Sequence, residues 1–309
     1  MQGIVIKSTG SWYIVKTDDG KILDCRIRGK FRIQEIKSTN PIVVGDRVNL
    51  TQEEDSFVIN ELFDRKNFIV RKSVNLSKQT HILASNIDQA ILMVTIKSPV
   101  TTTSFIDRFL ISAKAYGINV VILFNKIDLL DDESKNKHNS IYALYESIGY
   151  QCLSMSVQTD DLSAVKDMMK NKVNVICGHS GVGKSTLLNV LQPELDINTQ
   201  VVSEQHQQGQ HTTTFSEMHD LNFGASVIDT PGVRGFGLVE MDKYELGDYF
   251  PEFFQLKPNC KFNNCIHVNE PKCAVKDALE KGEISSSRYK NYLSMLDQDD
   301  ENFRVNKYE

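Results

Sequence analysis

The sequence has no apolar run long enough to cross a bilayer. Its longest, around residues 90–94 and 120–124, are the size of strands. Residues 1–10 lack the apolar stretch of a secretory leader. No repeat or low-complexity block interrupts the chain, and there is no excess of basic charge: the formal net charge is −5. Wholesale polycation behaviour is therefore excluded, and any nucleic-acid contact has to come from a local patch. These absences set the expectation of a cytoplasmic protein with no membrane partner. Cysteine is also sparse, with six residues. Cys25, Cys152 and Cys177 each sit alone in an apolar run, as small buried hydrophobes do, whereas the other three cluster.

What is present divides the 309 residues into three patterns. Residues 1–70 read as short strands and turns with little helical periodicity, which suggests a small β-barrel. Within the run 22–33, Arg26, Arg28, Lys30 and Arg32 alternate with Cys25, Ile27, Phe31 and Ile33. A continuous strand there has one basic face, able to track an RNA backbone or simply to face water; alternation alone favours water, and Gly29 interrupts the run. Residues 71–240 alternate strands with helices, the signature of a parallel α/β sheet, with strands expected at 89–96, 120–124, 151–155, 173–177 and 226–228. Residues 192–210 have the composition of a loop. Residues 241–309 hold short helical runs around the cysteine cluster, and the stretch from Asp297 reads as a loosely held tail.

Gly178-His179-Ser180-Gly181-Val182-Gly183-Lys184-Ser185 follows an apolar run and precedes a helical one opening at Thr186. That is the context in which G-x-x-x-x-G-K-[ST] forms a phosphate-binding loop. Its glycines let backbone N–H groups and the following helix N-terminus face a polyphosphate. Lys184 is placed to reach the β- and γ-phosphates, and Ser185 to bind Mg²⁺. Asn125-Lys126-Ile127-Asp128 follows the strand at 120–124. A carboxylate at Asp128 can accept from the N1–H and N2–H₂ of guanine, which adenine cannot match. Lys126 can lie along the base while Asn125 braces the loop. Ser154 and Ser156, after another strand, supply the expected loop whose amides touch guanine O6. Asp229-Thr230-Pro231-Gly232 fits D-x-x-G, with Asp229 holding Mg²⁺ through water and the Gly232 amide sensing the γ-phosphate. Between these motifs, one of Thr212, Thr213 and Thr214 is expected to ligate Mg²⁺, with Thr213 favoured.

These elements predict a GTP-hydrolysing site in an unusual order: the guanine-specifying segments precede the phosphate loop, as in a circular permutation. The chain resembles the circularly permuted, ribosome-small-subunit-dependent GTPases called RsgA, YloQ or YjeQ, over nearly its whole length. The resemblance implies an N-terminal OB-fold barrel, a central permuted P-loop GTPase domain and a C-terminal, mostly helical zinc-binding domain. It also implies action in late maturation of the small (30S) ribosomal subunit, with 16S rRNA and its proteins as partners alongside GTP and GDP, and a monomeric state. Val233 stands where a water-orienting glutamine would be, and valine cannot orient water. The resemblance gives that role to His211. Val233 also keeps open a different class of function, a nucleotide-gated RNA-binding scaffold with incidental hydrolysis.

Cys260-x₄-Cys265-x-His267-x₅-Cys273 supplies three thiolates and an imidazole, the set for one closed, structural Zn²⁺ site. Lys257, Lys261, Lys272 and Lys276 flank it. Because the chain leaves the GTPase sheet through D-x-x-G, the zinc domain is expected to hang from an element that responds to the γ-phosphate.

Overall fold

The computed structural model describes residues 1–9, 12–27, 41–53, 56–72, 80–195, 216–229 and 242–301. None of the described helices is long and apolar enough to cross a membrane.

The N-terminal strands are β1 (Gln2–Ser8), β2 (Tyr13–Thr17), β3 (Ile22–Ile27), β4 (Arg47–Glu53) and β5 (Ser56–Leu62). They pair in the order β1-β2-β3-β5-β4, and β4 pairs back to β1, closing the barrel. Alternate residues turn inward, and Val5, Tyr13, Val15, Cys25, Val48, Leu50 and Ile59 form its core with Ile42. This is the OB-like barrel that the resemblance implied. Of the basic run, β3 carries Arg26, and Arg28, Lys30 and Arg32 lie outside the described residues.

A hairpin of β6 (Phe68–Lys72) and β7 (Thr80–Ser85), which the sequence pattern did not reveal, follows the barrel. The seam between barrel and hairpin is polar and tight. Gly45 has φ +94°, and a Cβ there would lie 2.1 Å from the Ser85 carbonyl oxygen. Next to it, the fully buried Asp46 carboxylate accepts from Arg65 Nε (2.7 Å) and Nη2 (2.7 Å), from the Ser85 hydroxyl (2.5 Å) and from the Val43 amide (2.8 Å).

The central sheet contains β8 (Gln89–Val94), β9 (Asn119–Phe124), β10 (Gln151–Ser154), β11 (Val173–Cys177), β12 (Glu217–Leu221) and β13 (Ala225–Asp229), in the order β10-β9-β8-β11-β13-β12. The first five are parallel, and β12 is antiparallel to β13. Helices α1 (Thr103–Ala115), α2 (Asp132–Ser147), α3 (Ser163–Met169) and α4 (Lys184–Leu191) cover its two faces. Every residue of β8 is buried; Ala90, Leu92 and Val94 enter one core and Ile91 and Met93 the other. The unforeseen strand β12 buries only Met218 and Leu221, too little to stand out as a period. Its Glu217 pairs with Lys7 of β1, joined by a 2.8 Å ion pair, so the barrel strands and the central strands form one eleven-stranded sheet.

The C-terminal domain contains α5 (Pro251–Leu256), α6 (Ala274–Glu280) and α7 (Ser286–Glu301), so the residues from Asp297 to Glu301 continue a helix rather than a tail. Its core takes in Ile111 of α1. Asp107 of α1, fully buried, accepts from Arg288 Nη1 (2.6 Å), Asn291 Nδ2 (2.6 Å) and the Tyr145 hydroxyl (2.7 Å). Burial pushes the Asp107 carboxyl up, while the adjacent Arg288 opposes that shift. Arg288 Nε and Nη2 continue to Glu252, and its guanidinium lies 4.5 Å from the Phe250 ring centroid. The domain is therefore clamped to α1, whereas residues 230–241, which connect it to the sheet, lie outside the described residues.

Replacing Asp46 by alanine strands a largely buried arginine and a buried amide at the barrel seam. Denaturant titration should show a loss of about 3–5 kcal/mol. A loss below about 1 kcal/mol would mean that this network does not hold the seam.

Candidate nucleotide site and metal cluster

The phosphate loop leaves the C-terminal end of β11, the central strand, and runs into α4. Gly178 has φ +138°, and a Cβ there would meet the Met93 carbonyl oxygen at 2.3 Å; Gly183 has φ +105°, and its Cβ would meet Asn125 Nδ2 at 2.4 Å. Both need glycine for conformation and for space. Val182 is buried in the core and pins the loop, while Ser180 and Gly181 are exposed. Lys184 Nζ donates to the carbonyls of Gly178 (2.9 Å) and His179 (2.7 Å). Ser185 and Thr186, half-buried, form the first turn of α4. The His179 ring lies on that of Phe105, with centroids 3.8 Å apart. Burial, then the Lys184 charge, holds the imidazole below its usual pKa.

The end of β9 carries the second segment to this loop. Asn125, buried, donates from Nδ2 to the Val182 carbonyl (2.8 Å) and accepts at Oδ1 from the Val157 amide (3.0 Å). Lys126 takes a left-handed φ of 64° and donates to the carbonyls of Ser98 (2.9 Å) and Gly181 (2.7 Å). Asp128 is exposed; its amide donates to Ser156 Oγ (3.0 Å), whose hydroxyl donates back to the carboxylate. The third segment is bonded more internally than its sequence suggested. The Ser156 amide donates to Asp160 (2.8 Å), the Met155 amide to the Phe124 carbonyl (2.9 Å), and Ser154 Oγ pairs with His138 Nε2 (2.8 Å).

Asp229 ends β13, the parallel neighbour of β11, so its backbone is at the loop's edge of the sheet. Gly232, Val233, His211 and Thr212 to Thr214 lie outside the described residues. No motif pointed to Val157, Asp160 or the Ser98 carbonyl. They join the site through strand order, which no local pattern records. On the barrel, Arg26 is exposed, with its guanidinium 4.2 Å from the Trp12 ring centroid.

In the C-terminal domain the ligand atoms of Cys260, Cys265, His267 and Cys273 lie within 4.8 Å of one another. His267 Nδ1 is 3.3 Å from Cys273 Sγ and 3.7 Å from Cys260 Sγ. Tetrahedral zinc with its usual bond lengths sets such edges at about 3.5–3.8 Å. Burial pushes the Cys265 thiol up to about 12, so a cation is what would convert this pocket to thiolates. His267 also holds φ 58°, an uncommon conformation for a side chain-bearing residue, while Glu270 accepts from the Ile266 and Val268 amides (both 2.9 Å) around it. The donor set and its spacing fit zinc.

Comparison with known proteins places this geometry. A family model described as RsgA GTPase matches residues 62–239, and one described as RsgA N-terminal domain matches residues 2–57. The chain belongs to the RsgA GTPase family. It is 55% identical over 314 residues to the small ribosomal subunit biogenesis GTPase RsgA of Christiangramia forsetii, covering 100% of both chains. It is 56% identical over 313 residues to the RsgA of Flavobacterium psychrophilum, covering 100% of this chain and 96% of that one. The fold is similar to the crystal structure of YjeQ from Thermotoga maritima (TM-score 0.79, 36% identity, 96% and 97% of the two chains). It is also similar to YloQ, a circularly permuted GTPase (TM-score 0.77, 30% identity, 99% and 96% of the two chains). The motif order in this chain is thus the permuted one, with the loop of residues 178–185 following the segment that starts at Asn125.

Asn125→Ala removes two buried hydrogen bonds joining the two halves of the site. Isothermal titration should show GDP binding weakened about ten- to a hundredfold with the circular dichroism spectrum unchanged. Unchanged affinity would contradict the bracing role. Metal analysis should give about one zinc per chain, lost in Cys273→Ala; a zinc-free wild-type chain would contradict the fit.

Proposed function

We propose that this RsgA-family chain is a Mg²⁺-dependent GTPase that binds the small ribosomal subunit, acts in its late maturation, and is stimulated by it. The observation that carries the reading is the clasp of Asn125 and Lys126 on the phosphate loop, which ties the segment of Asp128 to the loop of residues 178–185. GTP fits that pairing, since guanine satisfies Asp128 and the triphosphate faces the loop and the α4 N-terminus. Lys184, now on two loop carbonyls, is the cation that turns to the β- and γ-phosphates. The half-buried Ser185 hydroxyl, with Thr213, and Asp229 through water would hold Mg²⁺, which neutralises charge developing on the transferred phosphoryl group. The Gly232 amide senses the γ-phosphate, and His211 positions the attacking water where Val233 cannot.

The division of labour follows the sequence: residues 1–70 as an RNA-contacting barrel with Arg26 on its surface, 71–240 as the GTPase domain, and 241–309 as a zinc domain held by Cys260, Cys265, His267 and Cys273. We take the working form to be a cytoplasmic monomer. The names of the relatives support the ribosomal partner.

The test is steady-state phosphate release from GTP with Mg²⁺, with and without purified small subunits. Small subunits should raise turnover at least about tenfold, large subunits should not, and His211→Ala should lose most of the stimulation while binding GDP normally. Slow release that no ribosomal particle changes would favour the RNA-binding scaffold instead.

A further inference from the structure

Helix α1 touches both sites. Its first turn begins at Thr103, and the Phe105 ring there lies against that of His179 of the phosphate loop, tilted by 32°. Two residues on, Asp107 takes Arg288 and Asn291 of α7, and Asn291 also donates to the Thr103 hydroxyl (3.3 Å). One turn later, Ile111 packs in the same apolar cluster as Cys265 and Cys273. The remaining apolar face of the helix, with Ile106, Phe109, Leu110 and Ala113, is fixed in the GTPase core. A short rigid element thus spans from the phosphate loop to the apolar cluster that contains Cys265 and Cys273.

The loop end of this element depends on nucleotide. Lys184 Nζ holds the His179 carbonyl at 2.7 Å, and the same ammonium must turn toward an arriving β-phosphate. The bond that sets the His179 backbone is therefore shared or lost when nucleotide binds, and the ring lying on Phe105 follows its backbone. We propose that Phe105 is a positioning residue that couples the phosphate loop to the zinc domain, so that nucleotide binding and zinc binding change each other's affinity. The coupling rests on the nucleotide and zinc readings above. It differs from the expected attachment through D-x-x-G in routing the signal through α1. Reciprocity makes it measurable from either end.

The test is equilibrium competition for zinc between the full-length chain and a chromogenic chelator of known affinity, with and without saturating GDP. It is run on wild type, Phe105→Ala and Phe105→Tyr. In wild type GDP should shift zinc affinity by about fivefold or more, the lower end of typical coupling, and zinc should shift GDP affinity by the same factor. Phe105→Tyr, which keeps the ring, should retain the shift. Phe105→Ala should still bind one zinc and bind GDP, with the shift reduced to near unity. A general loss of stability would lower both affinities without removing their ratio. Zinc affinity indifferent to GDP in wild type, or a full shift in Phe105→Ala, would overturn the coupling. A wild-type chain that takes up no zinc, or no GDP, would overturn it together with the metal or the nucleotide reading, and the two failures are told apart by which titration is flat.

Discussion

One buried carboxamide holds the nucleotide site together. Asn125 comes from the end of β9, donates to the loop carbonyl of Val182 and receives the amide of Val157, and so fastens three segments that lie far apart in the chain. The close approach that this requires is met because Gly183 has no Cβ, which would fall 2.4 Å from Asn125 Nδ2. A bond of this kind does not record the order in which its segments were made. That is the physical reason that a permuted chain can build the site: strand neighbours β9, β8, β11 and β13 bring the loops to one edge whatever the connections between them.

The same logic extends to the domain seams. Asp46 at the barrel and Asp107 at the zinc domain are both fully buried carboxylates, each held by an arginine and by neutral donors. Buried pairs of this type contribute little net stability against a well-packed apolar seam, but they penalise every arrangement that leaves one partner alone. They fix how the domains sit. The barrel has a second tie in the pairing of β1 with β12, whose first residue, Glu217, is three positions beyond Thr214. The barrel is therefore tied to the strand that follows, in sequence, the segment expected to respond to the γ-phosphate, while the C-terminal domain is anchored at α1.

Much of this was legible in the sequence because it depends on short spacing. The phosphate loop, the Asn125–Asp128 tetrapeptide and the cysteine–histidine set each declare themselves within a few residues, and the structure brings the members of each set together. The fully buried β8 was legible as a short continuous apolar run, and the helices from their periodicity. The hairpin β6–β7 and strand β12 were not: β6 and β7 are five and six residues long, and β12 buries only Met218 and Leu221, too little to show a period. Asp107 and Arg288 read as ordinary helix charges; they are 181 positions apart, and only the docked fold makes them a pair. Ser156 was expected to offer its amide to the base, yet that amide goes to Asp160 and its hydroxyl to Asp128, a division that spacing cannot predict.

We propose that this edge of the sheet reads guanine through the carboxylate of Asp128. The most direct measurement is the equilibrium affinity for GDP and for xanthosine diphosphate in wild type and in Asp128→Asn. Xanthine carries an oxygen where guanine carries the N2 amino group, so an amide at position 128 donates where the carboxylate accepted. Wild type should prefer GDP by at least about a hundredfold, and Asp128→Asn should reverse the preference. An Asp128→Asn chain that kept its affinity for GDP and its discrimination against xanthosine diphosphate would contradict it.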